Sequence, residues 1–225
     1  MSQIIVTIDG LSGTGKSSIA TKLANKLGFR VLHSGLVYRA FAKLLLEELQ
    51  CIPSKGLETR KDELVYIANL NRDFLYKAAR GELNPEDFRD WGQKASEFAQ
   101  LPIIREILLP FQREAYTKES FVAEGRDMGT VVFPDAHAKI FIETALTIRV
   151  LRRLNVSNPL DLKALEHPKS LLELMSLAKR DLRDTIRNVA PCRKATEAFV
   201  VINHLNIEVT VKCIIDYVSN RLNLF

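Results

Sequence analysis

The chain has 225 residues, 47% of them hydrophobic and 26% charged, with a net charge of +5, an ordinary balance for a globular protein able to bury a sizeable core. No apolar run approaches the ~20 residues that cross a bilayer, and no basic leader with a cleavage site precedes the first strand, so neither a membrane partner nor a secretory signal is expected. Cys51, Cys192 and Cys213 are scattered and lack metal-ligand spacing to the four histidines, which predicts reduced thiols, a cytoplasmic location and no structural metal.

The first element is Ile4-Ile5-Val6-Thr7-Ile8, a β-branched run that reads as a short buried strand. Gly10-Leu11-Ser12-Gly13-Thr14-Gly15-Lys16-Ser17 follows, and then a helical pattern from Ser18 to Leu27 that Gly28 can end in a left-handed conformation. Strand, glycine loop and helix are the context in which Gly-x4-Gly-Lys-Ser forms a phosphate cradle. Successive backbone N–H groups turn inward on one anion, the helix N-terminus adds its field, and Lys16 reaches the terminal phosphates. A nucleoside triphosphate is the expected ligand, held by Gly10, Ser12, Gly13, Thr14, Gly15, Lys16, Ser17 and Ser18.

Phe29–His33 reads as a second strand, and Ser34 as the N-cap of a helix reaching about Leu49. Residues 51–60, with Pro53 and Gly56, read as a loop. The segment 61–100 is polar and helical, broken at Gly81 and restarted at Asn84-Pro85-Glu86-Asp87, with Trp91 a packing anchor. Pro102 opens a helix carrying Arg105. Ser120–Glu124 and Ala138–Ile142 are further strands, and the second leads into a helix with Arg149, Arg152 and Arg153. After a loop-like stretch broken by Asn158-Pro159 and His167-Pro168, Ser170-Leu171-Leu172-Glu173 fits a capping box for a helix running towards Arg187. Ala198–Ile202 is the last strand and Ile207–Leu222 the last amphipathic helix. Five short apolar strands interleaved with helices predict an α/β fold, a parallel sheet covered on both faces, with polar helical lobes inserted over the strand ends.

Three features carry further chemistry. Glu124, an acid ending a buried strand, suits Mg²⁺ and its waters, with Ser17 as a second oxygen donor. Arg126 and Asp127 stand between two glycines, where backbone approaches a ligand closely; a loop held by its own Arg–Asp ion pair is the competing reading. Residues 149–187 hold nine Lys/Arg against five acids, +4 of the total charge, and Arg180, Arg183, Asp184 and Arg187 share one helical face. Arg183 and Arg187 repel at that spacing, which a bridging anion would relieve. A solvated basic face is the alternative.

Several stretches together resemble bacterial cytidylate kinases, among the nucleoside monophosphate kinases. They are Ile8-Asp9-Gly10 with the phosphate loop, Ser34-Gly35-x-x-Tyr38-Arg39, and Ser96-x-x-Ala99-x-x-Pro102-x-x-Arg105. They continue through Gly125-Arg126-Asp127-Met128-Gly129-Thr130-Val131-Val132-Phe133-Pro134-Asp135, Arg180-Asp181-x-Arg183-Asp184-x-x-Arg187 and Ala190-Pro191. The glycine-bounded Arg-Asp string is far more specific than the phosphate loop. The resemblance implies a P-loop NTPase fold, with a core of residues 1–58, 112–152 and 185–225, a CMP-binding lobe at 59–111 and a lid at 153–184. It implies transfer of a phosphoryl group from ATP, with Mg²⁺, to CMP or dCMP. Lys16, Arg126, Arg180 and Arg187 would be catalytic. Ser34, Arg105 and Asp127 would meet the cytosine edge, with Tyr38 beside them. Arg39, Arg126 and Arg187 would hold the acceptor phosphate, while Arg180 and Asp184 would reach the sugar.

Four positions depart from the family pattern: His33 stands where Asp is usual, Glu124 where Asp is usual, and Ser17 and Ser18 where Gly and Thr are usual. Residues 71–91 also lack the glycine-punctuated strands of the acceptor lobe, which predicts a helical or degenerate lobe. His33 reads as a strand-end packing residue. Other readings are a P-loop kinase for UMP or another small acceptor, a nucleotide-dependent switch, or a nucleic-acid-binding ATPase. The chain has no Asn-Lys-x-Asp guanine motif, and its basic residues lack the aromatic interleaving of a single-strand platform. A monomer without nucleic-acid partners is expected.

Overall fold

The computed structural model describes residues 3–49, 56–156, 158, 161–204 and 206–222. The predicted loop residues 51–55, including Pro53 and Cys51, and the predicted breaker Pro159 lie outside this set.

Five strands form one parallel sheet in the order β2-β3-β1-β4-β5: β1 Ile5–Gly10, β2 Arg30–His33, β3 Phe121–Gly125, β4 Ala138–Glu143 and β5 Phe199–Ile202. Every strand coincides with a predicted one to within two residues at either end. β-Branched and small residues fill them because both faces are covered, so hydrophobicity runs on without alternation. The pleat divides the packing: Phe121 and Ala123 join one core and Val122 the other. Val6, Ile8 and Ile140 pack with helices α1 (Lys16–Leu27) and α9 (Ile207–Leu222) on one face. On the other, α2 (Ser34–Leu49) packs with α3 (Lys61–Leu70), α4 (Arg72–Ala79), α5 (Gly92–Phe98) and α6 (Pro102–Arg113). Phe41, Leu45 and Phe121 are buried there, each contributing about 1.5–3 kcal/mol by leaving water. Segment 59–111 is therefore helical and shares a core with α2 and β3.

Helix α1 ends as expected, with Gly28 at φ 68° and its N–H donating to Ala24 O. Asn84 accepts from Glu86 N at 3.2 Å and starts the short helical segment Pro85–Trp91. Two expected caps are corrected. Ser34 is the first helical residue of α2, and its hydroxyl donates to Gln112 Oε1 at 3.0 Å. The long helix α8 spans Pro168–Ile186, because Pro168 already supplies a preset first-turn φ. His167 Nδ1 accepts from Lys169 N, and Ser170 Oγ donates to Ala164 O instead of capping.

β1 lies between β3 and β4 with Asp9 level with Gly125 and Gly10 level with Ile142. The loops after β1 and β3 thus leave the sheet side by side, on the carboxyl edge where the chain changes direction across the sheet and where ligands bind in such folds. Helix α7 (Leu146–Arg153), which follows β4, and α8 close over that edge.

Candidate active site

A cavity of about 480 Å³ opens over the carboxyl edge of the sheet, a size suited to small-molecule ligands. Its lining includes Ser12, Gly13, Gly15, Lys16, Ser17 and Ser18 from the glycine loop. Gly10 and Thr14 are not part of that lining: Gly10 is packed against Ile142 O, and Thr14 Oγ1 donates to Leu11 O at 2.9 Å. Gly15 takes φ 86°, and a Cβ there would lie 2.7 Å from Asn203 Nδ2, so both backbone and space require glycine. Asn203 Nδ2 donates to Thr14 O at 2.8 Å, Arg149 Nη1 to Ser12 O at 2.9 Å, and Arg152 Nη1 to Thr14 O at 3.4 Å. Three side chains from the ends of β5 and α7 thereby hold the loop's carbonyls outward, leaving its N–H groups for a ligand.

Lys16 is buried, and among the described residues its Nζ donates only to Leu11 O at 3.2 Å. Burial, reinforced by Arg126, lowers its ammonium to about 7. A phosphate bound beside it would restore the charge.

The second wall comes from the loop after β3, α2, α5 and α8. Asp127 pairs with Arg105 Nη2 and lies 3.5 Å from Arg187 Nη2. Arg126 Nε donates to Asp184 Oδ2 at 3.0 Å, and Ser96 Oγ to Asp184 Oδ1 at 2.6 Å. The expected alternative of an Arg126–Asp127 pair is thus excluded: each residue is paired with a different element. Arg180 lies 3.9 Å from Asp184 and passes over Gly92, where a Cβ would come within 2.9 Å of its Nη1. Burial and the neighbouring Arg126 lower Arg180 to about 9. Arg39 Nε, Arg180 Nε and Arg187 Nη2 are buried without hydrogen-bond partners among the described residues, and all three side chains line the cavity. Arg180 Nε and Arg187 Nη2 have carboxylates of Asp184 and Asp127 only at 3.9 and 3.5 Å, beyond good hydrogen-bond length, and guanidiniums left so are suited to a bound anion.

Arg183 is the exception to the expected face. It donates to Gln93 Oε1 at 2.6 Å and Glu97 Oε1 at 3.2 Å and lies outside the cavity lining. α5 packs against that side of α8 and draws the guanidinium away, so Arg183 and Arg187 share no anion.

Glu124, next to last in β3 and beside the loop lysine, accepts among the described residues from His33 Nδ1, 3.3 Å away. Burial would raise its carboxyl, but His33, Lys16 and Arg126 bring it down to about 2. It is an ionised oxygen donor, and Ser17, an exposed residue, lines the same cavity. Hard oxygen donors in small number fit Mg²⁺, which keeps most of its shell as water and phosphate oxygens. No cluster of three or more His, Cys, Asp or Glu side chains suited to a metal occurs among the described residues. His33, expected as packing, does pack its ring over Gly81, where a Cβ would lie 2.6 Å from Cδ2, and it also lines the cavity beside Glu124.

Residues 6–220 match the family model described as cytidylate kinase. The chain belongs to the cytidylate kinase family. It is 37% identical to a cytidylate kinase of Thermotoga maritima, over 97% of this chain and 98% of that one. A cytidylate kinase of Vibrio cholerae is 38% identical over 97% of each chain, and one of Coxiella burnetii 35% identical over 96% and 92%. Among solved structures, a shikimate kinase from Bacteroides thetaiotaomicron aligns over 98% of each chain at 12% identity with a TM-score of 0.45, too loose a likeness to bear on function.

Four side chains support the site of this cytidylate kinase family member without a role legible in the sequence: Asp9 and Ser96 stand only as members of the resembling stretches, and Asn203 and Gln112 carry no distinct signal. Asn203 lies one residue past β5, a position level with the glycine loop. Asp9 accepts from Met128 N and Gly129 N, both at 2.8 Å, and so ties β1 to the Arg-Asp loop. Ser96 binds Asp184, and Gln112 binds Ser34. Only the spacing of Gln112, two helical turns after Arg105 on α6, could have put it on the same face.

Proposed function

We propose that this protein transfers the γ-phosphoryl group of ATP to CMP or dCMP in a closed cleft. Family membership and the four guanidinium-bearing residues Arg39, Arg126, Arg180 and Arg187, which line one cavity with the glycine loop and Lys16, support this reading. Phosphoryl transfer asks for two nucleotides held in line and for positive charge where the moving group passes; it asks for little covalent chemistry. The glycine-loop N–H groups and Lys16 take the donor phosphates. Arg39, Arg126 and Arg187 take the acceptor phosphate, and Arg180 with Asp184 reaches the sugar. Ser34, Arg105 and Asp127 meet the base, with Tyr38 alongside. Mg²⁺, held by Ser17 and Glu124 in part through water, would neutralise and bridge the donor oxygens.

Residues 59–111 and 153–184 serve in this reading as the acceptor lobe and the lid, and the protein works as a cytoplasmic monomer. Closure keeps water from accepting the phosphoryl group.

The test is a panel of monophosphates with ATP and Mg²⁺, following ADP formation. CMP or dCMP gives the highest kcat/KM. Equal or greater turnover with UMP or AMP overturns the base assignment, and no transfer to any monophosphate overturns the activity.

A further inference from the structure

Gln112 does not line the cavity, yet it decides what Ser34 can present there. Both side chains are buried, Gln112 at 1% and Ser34 at 4% exposure. Ser34 Oγ donates to Gln112 Oε1 at 3.0 Å, and Gln112 Nε2 donates to Leu108 O at 3.3 Å, one turn back on α6. The second bond orients the first. Turning the amide over would aim Oε1 at the Leu108 carbonyl, acceptor against acceptor, with no proton between them. The amide oxygen therefore faces Ser34. A serine hydroxyl has one proton. With that proton given to Gln112, Ser34 shows the cavity only lone pairs.

We propose that Gln112 is a positioning residue that holds Ser34 as a hydrogen-bond acceptor towards the base, and so biases the site to an amino-pyrimidine over an oxo-pyrimidine. Cytosine and uracil differ on this edge in one exchange: an amine that donates is replaced by a carbonyl that accepts. A free serine would adapt to either, by rotating its O–H towards uracil and away from cytosine. A serine committed to Gln112 cannot, and a buried pair of acceptors is left facing each other when uracil enters. This rests on Ser34 meeting the base, as proposed above, and adds the residue that sets its polarity.

The experiment compares kcat/KM for CMP and UMP in the wild type, Gln112→Met, Ser34→Ala and the double variant, with KM for ATP and thermal melting measured in each. Methionine has similar length and no acceptor oxygen to hold the proton. The expected result in Gln112→Met is a fall in the CMP-to-UMP ratio of about tenfold, the scale of one hydrogen-bond discrimination. Most of it comes as a gain with UMP, while KM for ATP stays within about twofold. In the Ser34→Ala background the same change leaves the ratio where it was, because no hydroxyl remains to orient. Gln112→Leu, which likewise offers no acceptor for the Ser34 proton, gives the same fall and stands in as the test where the methionine variant does not fold. An unchanged ratio in folded Gln112→Met or Gln112→Leu, or an equal fall in the Ser34→Ala background, overturns the proposal. A wild type that prefers CMP while Gln112→Met is equally selective leaves the CMP reading standing and removes Gln112. A wild type without preference removes both.

Discussion

Arg126 Nε and Asp184 Oδ2 meet at 3.0 Å, across 58 residues of sequence, and Ser96 donates to the other oxygen of the same carboxylate. One buried anion thus joins the loop after β3, helix α5 and helix α8. Burial would raise the Asp184 carboxyl, but Arg126 and Arg180 hold it below the usual range. Asp184→Asn should leave Arg126 buried without a full counter-charge and cost about 3–5 kcal/mol of stability. Added inorganic phosphate should raise the melting temperature of the variant more than that of the wild type, since it supplies the missing charge. Equal phosphate effects in calorimetric melts would sink this account of Asp184.

Lys16 behaves in the opposite way. Its ammonium is desolvated and has one carbonyl partner, so the folded protein gains little from it. Lys16→Met, close to it in length, should change unfolding free energy by no more than about 1.5 kcal/mol. ADP formation should fall by about 10²–10³, the scale of removing one preorganised charge. Urea melts and initial rates check the two halves separately, and loss of folding with loss of activity would mean that Lys16 is structural.

Asp127 faces two guanidiniums, Arg105 and Arg187. Asp127→Ala should lower the CMP-to-UMP ratio by at least about tenfold, because an amine acceptor is lost and Arg105 is no longer oriented. KM for ATP, which the proposed reading places at the glycine loop, should stay within about twofold. A variant with normal selectivity and a raised KM for ATP would place Asp127 at the wrong nucleotide.

Asp9 gives a pH signature. Burial raises its carboxyl from 3.8 to about 7 despite the N–H donors of Gly129 and Met128. A carboxyl raised on folding holds a proton that the unfolded chain has lost, so its stabilising contribution is full below pH 3.8 and disappears as pH rises through about 7. Wild-type stability should therefore decline relative to Asp9→Asn between those limits, by up to about 1 kcal/mol per pH unit. The constant offset from the altered loop contact does not affect that slope. Parallel urea titrations of the two proteins across the window measure it, and a flat difference would remove Asp9 as the source.

The order of elements was legible along the chain because each part rests on neighbours in sequence. β-Branched runs give the five strands, Gly10–Ser17 between strand and helix gives the phosphate loop, and Gly28 gives the end of α1. Asn84-Pro85 likewise marks a helical start that the structure keeps, whereas Ser170 lost its expected role to His167-Pro168 one turn earlier. The Arg-Asp string pointed to the acceptor site through its resemblance, and Arg39, Arg126, Asp127, Arg180, Asp184 and Arg187 do line one cavity.

Pairing was not legible. Helical periodicity puts Arg183 and Arg187 on a common face, but only the packing of α5 against α8 sends Arg183 to Glu97 and Gln93 while Arg187 turns inward. The same holds for His33 with Glu124, 91 positions apart, and for Ser34 with Gln112, 78 apart. Spacing of two to four residues records what one helix or strand does with its own side chains. A proton shared between two helices, or a carboxylate shared among three elements, depends on how the sheet stacks them, and that is decided by the whole core at once.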